Sequence, residues 1–132
     1  MDIEKQRTAN SLRVLIVEDS DTDYLLLERQ LQKLLEPMIC ARAANRRELI
    51  EMLQQTWNII ISDYHLPDIE GEGLLALIAQ SHHDTPCLLL SGSIDSVAPI
   101  TMPANVVARL EKGDSAALRA ALLSARQTYP NS

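Results

Sequence analysis

Four short apolar runs constrain this chain more than any other feature: VLIV at 14–17, III at 59–61, CLLL at 87–90 and VVARL at 106–110. They are rich in branched residues and do not alternate with polar ones. A strand that buries one face alternates; a strand buried on both faces of a parallel sheet does not. A weaker run, MICA at 38–41, follows Pro37. Between the runs, apolar residues recur at the three- and four-residue spacing of helices with one buried face. Tyr24, Leu27, Leu31 and Leu34 mark the first helix, with Ser20 or Asp21 as N-cap. Asn45 and Glu48 resemble a capping box ahead of Leu49, Met52 and Leu53. Leu74, Leu77 and Ile78 define a third helix after Gly71-Glu72-Gly73. Leu118, Ala121, Leu122 and Ala125 define the last, capped by Asp114 or Ser115.

Strict alternation of strand and helix implies right-handed crossovers, hence a parallel sheet with helices on both faces. One slot resists the pattern. Between the fourth and fifth strands the chain reads IDSVAPITMP, with Pro99 and Pro103 four residues apart. A proline inside a helix removes a hydrogen bond, costs about 3 kcal/mol and disfavours helix at the residue before it, here Ala98 and Met102. A loop or a single turn is therefore predicted over residues 93–105, with Val97, Ile100 and Met102 left to cover the sheet. The 132 residues suit one domain, over 12–127, with 1–11 and 128–132 as loose ends.

Composition excludes several functions. With 18 acidic and 12 basic side chains, the net charge of −6 offers little to a polyphosphate backbone, so direct nucleic-acid binding is not expected. No apolar run approaches the ~20 residues of a membrane span, and the N-terminus lacks a signal-peptide segment. Cys40 and Cys87 sit inside apolar stretches and read as buried thiols of a cytoplasmic protein. His82-His83 reads as an exposed loop pair, because adjacent residues do not share a face.

In an open α/β sheet, ligands bind beyond the carboxyl ends of the strands. Just past successive runs stand Glu18-Asp19, Asp63, Ser91 and Lys112. Singly, each has an ordinary explanation as a cap, a turn or a solvated charge. Together they place three carboxylates, a hydroxyl and an ammonium on one sheet edge. Clustered carboxylates repel one another, and a hard divalent cation such as Mg²⁺ relieves this while keeping positions for a phosphoryl oxygen. A carboxylate can attack phosphorus to give an acyl phosphate, with the metal, a hydroxyl and a lysine holding the phosphoryl oxygens. GEG at 71–73 lacks the lysine and spacing of a nucleotide loop, so the phosphoryl group comes from another molecule.

The segments VLIVEDSDTD, IIISDYHLPDIEG, LLLSGS and LEKGD resemble the signatures of the receiver domain of two-component response regulators. The match covers about residues 12–127, and the 44-residue gap between Asp19 and Asp63 suits that family. The resemblance implies a doubly wound, five-stranded parallel sheet in order 2-1-3-4-5, the flavodoxin-like receiver fold, here with the fourth helix truncated or replaced by a loop. It implies Asp63 as phosphoacceptor. Mg²⁺ would be held by Glu18, Asp19, Asp63 and the backbone carbonyl of His65. Ser91 and Lys112 would contact the phosphoryl group. The His65 side chain would lie beside that group and Gly92 would keep the pocket open. Expected partners are a histidine kinase or phosphotransfer protein, then a downstream protein or a covalently linked output domain, with homodimerisation also open.

Besides the two prolines, two departures stand out. Gly113 follows Lys112 where the family usually has a cis proline, which predicts a trans bond and a loop rebuilt on glycine. Arg109 takes the place of the aromatic switch residue and can either reach an acidic group or lie across the sheet edge. These changes keep a second reading open, a phosphorylation-independent interaction or dimerisation module. A third, a metal-dependent phosphatase, lacks an evident substrate pocket.

Overall fold

In the computed structural model, residues 11–35, 37–92 and 102–128 are described. The chain runs β1 (Leu12–Val17), α1 (Asp21–Leu34), β2 (Met38–Ala43), α2 (Arg46–Met52) and β3 (Ile59–Asp63). A short hairpin follows, β4 (His65–Leu66) and β5 (Ile69–Glu70). Then come α3 (Gly71–His82), β6 (Cys87–Ser91), β7 (Val106–Glu111) and α4 (Ser115–Thr128). The five long strands are parallel, in order β2-β1-β3-β6-β7. Counted in chain order this is 2-1-3-4-5, the doubly wound order expected.

Both sheet faces are covered, which is why the central strands do not alternate. Leu15, Val17, Ile60 and Leu89 pack with Leu49, Trp57, Leu74 and Ile78 on the α2–α3 side. Val14, Ile16, Ile59, Ile61 and Leu88 pack with Leu27, Leu31, Leu118 and Leu122 on the α1–α4 side. Ile59, Ile60 and Ile61 are all fully buried, each stabilising the fold by roughly 1.5–3 kcal/mol.

Helix starts follow the expected chemistry. Ser20 Oγ accepts from the Asp23 amide at 3.3 Å, and Asn45 Oδ1 accepts from the Glu48 amide at 2.9 Å. Glu48 returns a bond to the amide of Ala44 at 2.8 Å, one residue before the cap rather than at it. Asp114 Oδ1 accepts from the Ala117 amide at 3.1 Å.

Several expectations are corrected. The fifth strand is not buried on both faces: Val107 is 57% exposed and Arg109 is exposed. β7 is an edge strand, and its register shifts beside Val107, where Cys87 pairs with Val106 but Leu88 with Ala108. α3 begins at Gly71 rather than after Gly73, because the β4–β5 hairpin turns the chain there. Gly71 takes φ +61°, and its amide donates to the Tyr64 carbonyl at 2.8 Å. His82-His83 is not an exposed pair. His82 is buried, with Nε2 2.8 Å from the Gln55 carbonyl and Nδ1 2.8 Å from Ser81 Oγ, while His83 stays outside beside Asp84. Cys87 is buried and Cys40 half-buried; burial pushes the Cys87 thiol up to about 12.

Most of the proline-bearing slot, including Val97, Pro99 and Ile100, lies outside the described residues. Met102 packs against the α2–α3 core, and the Val106 amide donates to the Pro103 carbonyl at 3.0 Å where the chain enters β7. Of the stretches read as loose ends, residues 1–10 and 129–132 lie outside the described residues. Ser11 is buried and Thr128 belongs to α4. Among the described residues no helix is long and apolar enough to cross a membrane.

Candidate functional site

Parallel strands in register end in step. Val17 pairs with Ser62, Asp63 with Leu90 and Ser91 with Glu111, so Glu18, Asp63, Ser91 and Lys112 emerge side by side. The Glu18 amide donates to the Ala43 carbonyl at 3.0 Å, and the Lys112 amide to the Ser91 carbonyl at 2.7 Å. Both residues are thus pinned by backbone bonds one step past their strands. Asp63 Oδ1 accepts from the Tyr64 amide at 2.6 Å and, less closely, from the His65 amide at 3.4 Å. Its other oxygen, Oδ2, accepts from Lys112 Nζ at 2.9 Å.

Lys112 organises the pocket. Its ammonium lies 2.8 Å from Glu18 Oε1, 2.9 Å from Asp23 Oδ2 and 2.9 Å from Asp63 Oδ2. Three acceptors match the three N–H donors of an ammonium. Burial alone would lower the lysine pKa; the bonds from Glu18, Asp23 and Asp63 outweigh it and hold the group above its ordinary value. Glu18 moves up as well. Its burial outweighs the bonds from Lys112 and the Ser20 amide, and the charge of Asp63 adds to the rise. Three carboxylates, those of Glu18, Asp23 and Asp63, surround the single ammonium of Lys112, so negative charge is in surplus at this edge.

That imbalance suits a hard cation. Glu18, Asp19 and Asp63 each offer an oxygen, all within 4.8 Å of one another. Oxygen-only donors, a surplus of negative charge and an exposed Asp19 at the mouth fit a Mg²⁺ that keeps some of its waters.

The other residues singled out in the sequence fall into two groups. Ser91 is buried at the end of β6, and Gly92 beside it is exposed with open space where a Cβ would stand. His65 opens β4, exposed, its ring edge-on to Tyr64 at 5.1 Å. Gly113, at φ +92°, turns the chain after Lys112 in a conformation that side-chain-bearing residues rarely adopt. Arg109 is not gathered in. It pairs with Leu89 well before the strand end, and among the described residues it has no ion pair.

Two side chains at this edge were not singled out in the sequence. Asp23 is the third acceptor of Lys112; its signal was an acid four residues beyond Asp19, in the first turn of a helix that starts at the pocket. Arg42 braces the β1–α1 loop. Its Nε donates to the Glu18 carbonyl at 2.9 Å, its Nη1 to Asp21 Oδ1 at 2.8 Å, and its guanidinium lies 4.9 Å from the centre of the Tyr24 ring.

Comparison with known proteins places this geometry. Residues 14–122 match the family model of the response regulator receiver domain. The two-component response regulator ARR2 of Arabidopsis thaliana is 35% identical over 82 residues, which cover 61% of this chain and 12% of that protein. The sensory/regulatory protein RpfC of Xanthomonas campestris is 26% identical over 88 residues, 64% of this chain and 12% of RpfC. The match thus spans a small part of the length of these curated relatives. Among solved structures, the signal receiver domain of an HD domain-containing protein from Pseudomonas fluorescens superposes with a TM-score of 0.75 at 24% identity, covering 89% of this chain and 96% of that one. TrrA from Thermotoga maritima, solved in complex with Mg²⁺ and BeF, gives 0.74 at 20% identity, covering 86% and 98%. At these identities the likeness is one of fold.

Proposed function

The chain belongs to the response regulator receiver domain family, and from that membership we propose that it accepts a phosphoryl group on Asp63. The donor is a phosphohistidine of a histidine kinase or phosphotransfer protein. The observation that carries this reading is the lysine-held carboxylate. Asp63 Oδ1 is fixed by backbone amides while Oδ2 lies 2.9 Å from Lys112, at the edge shared with Glu18 and Asp19. Oδ2 bonds to phosphorus as the donor's P–N bond breaks, and the histidine nitrogen leaves with the electron pair.

Each neighbour has a task in that transfer. Lys112 offers its ammonium and Ser91 its hydroxyl to the phosphoryl oxygens. Glu18, Asp19, Asp63 and the His65 carbonyl are the groups that would hold Mg²⁺. When bound, the ion offsets the charge of the carboxylates and of the phosphoryl oxygens. Gly92 leaves the approach open, and the His65 side chain tunes how readily water reaches the acyl phosphate. The domain signals in the cytoplasm by protein contact, either with a separate target or with an output domain in a longer chain, as its short match to longer relatives suggests. It is a signalling domain rather than a turnover enzyme.

The test is incubation with Mg²⁺ and acetyl phosphate, followed by intact-mass measurement. One added phosphoryl group, abolished by Asp63→Asn, is expected. An unmodified but folded protein would sink the reading. Exposed Arg109 in place of an aromatic switch favours a second reading, an interaction module indifferent to phosphorylation. Equal partner binding by wild type and Asp63→Asn would support that one instead.

A further inference from the structure

Asp19 stands exposed at the mouth of the acidic cluster, and among the described residues no hydrogen bond or ion pair holds its carboxylate. Where that carboxylate lies is set by the backbone on either side of it. The peptide before it joins Glu18 to Asp19. A peptide unit is planar, so a grip on the Glu18 carbonyl fixes the plane from which Asp19 departs. Arg42, near the end of β2, supplies that grip: its Nε donates to the Glu18 carbonyl at 2.9 Å. The peptide after Asp19 is held by the Ser20 amide, which donates to Glu18 Oε2 at 3.1 Å. That second brace ends on a carboxylate that a cation also draws on, whereas Arg42 holds a main-chain oxygen.

The guanidinium is itself fixed. Nη1 bonds Asp21 Oδ1 at 2.8 Å, and the flat group lies 4.9 Å from the centre of the Tyr24 ring in α1. The Asp21 side chain is 87% exposed, so the ion pair alone contributes little. What counts is that one rigid fork spans the loop, with Glu18 at its start and Asp21 at its end. A lysine cannot do this, because an ammonium on a flexible stem has neither the fork nor the flat face.

Resting on the reading of Glu18, Asp19 and Asp63 as the Mg²⁺ group, we propose that Arg42 is a positioning residue that presets the Asp19 carboxylate and favours Mg²⁺ over Ca²⁺. Mg²⁺ demands a near-octahedral set of close oxygens, while Ca²⁺ accepts longer and less regular ones. A rigid loop therefore serves the first ion much more than the second. The sign of the effect separates this from plain electrostatics. Removing a cation from beside the site would, by charge alone, tighten the binding of either dication; removing a brace weakens it.

Arg42→Lys keeps the charge and loses the fork, and Arg42→Ala loses both. Affinities for Mg²⁺ and for Ca²⁺ are read by calorimetric titration of the full chain. Loss of an outer-shell partner weakens metal binding by roughly 10–100-fold. Arg42 acts through a peptide, so the lower end, about 10-fold for Mg²⁺, is expected in both variants. Ca²⁺ should weaken by about 3-fold or less. Unchanged or tighter Mg²⁺ binding by Arg42→Lys would overturn the proposal. An equal loss for the two ions would overturn it too, since general loosening of the fold gives that result. If Arg42→Ala does not fold, Arg42→Lys alone decides. A folded wild type that binds no Mg²⁺ would sink the metal site and this proposal with it, whereas phosphorylation of Asp63 is read separately by its added mass.

Discussion

Asp19→Asn is expected to make the metal-free protein more stable while removing its response to Mg²⁺. Asp19 offers an oxygen within 4.8 Å of oxygens of Glu18 and Asp63, and Lys112 is bonded to those two residues and to Asp23, not to Asp19. Like charges at that separation repel by about 0.9 kcal/mol in water and about 3.5 kcal/mol at an effective dielectric near 20. Asp19 is exposed, which selects the lower figure, so the two repulsions total about 2 kcal/mol. Attraction to Lys112, and the Glu18–Asp19 repulsion that persists between neighbours in the unfolded chain, offset about half of it. The net gain is about 1 kcal/mol, or roughly 4 °C in melting temperature for a chain of this size. Urea unfolding at pH 7, with and without Mg²⁺, reads the effect. At ten times its dissociation constant, Mg²⁺ should stabilise wild type by about 1.4 kcal/mol and the variant much less, so the order of stabilities reverses. A variant less stable than wild type without Mg²⁺, or one stabilised equally by it, would refute the electrostatic account.

Two further outcomes follow from the same geometry. Glu18 has its pKa raised above the ordinary 4.5 in the folded protein, so its contribution to stability is fully present below pH 4.5 and is lost as pH rises through the folded value. Glu18→Gln should remove that falling segment from a plot of unfolding free energy against pH, and an unchanged slope would contradict it. Gly71→Ala should cost about 1–2 kcal/mol in denaturant melts, because a side chain at φ +61° is disfavoured and the new Cβ would lie 3.3 Å from the Tyr64 hydroxyl oxygen. A neutral substitution would mean that the β4–β5 hairpin yields easily.

Much of the active edge was legible in the chain. Apolar runs such as Ile59–Ile61 specify doubly buried strands because only a parallel sheet covered on both faces hides them. Once the strands are parallel and in register, the residues just past them must share one edge. Glu18, Asp63, Ser91 and Lys112 could therefore be brought together from spacing alone, and local caps such as Asn45 were equally readable. The fifth strand was less so. VVARL has the composition of a buried strand, yet its place at the sheet edge leaves Val107 and Arg109 outside. Composition reports what a strand can bury, not how many neighbours it has.

The sequence by itself determined the fold class, the strand order implied by family signatures, and the identity of the acidic edge. Those features depend on local periodicity and on which residues follow each strand. Tertiary structure alone decided how the charges are shared. Asp23 and Lys112 are 89 positions apart, as distant in the chain as α1 is from the end of β7, and only the crossing of helix and strand brings Nζ and Oδ2 to 2.9 Å. His82 likewise turned inward because the Gln55 carbonyl was there to meet it. Hydrogen-bond partners of this kind are fixed by distances across the fold, and no periodicity along the chain encodes them.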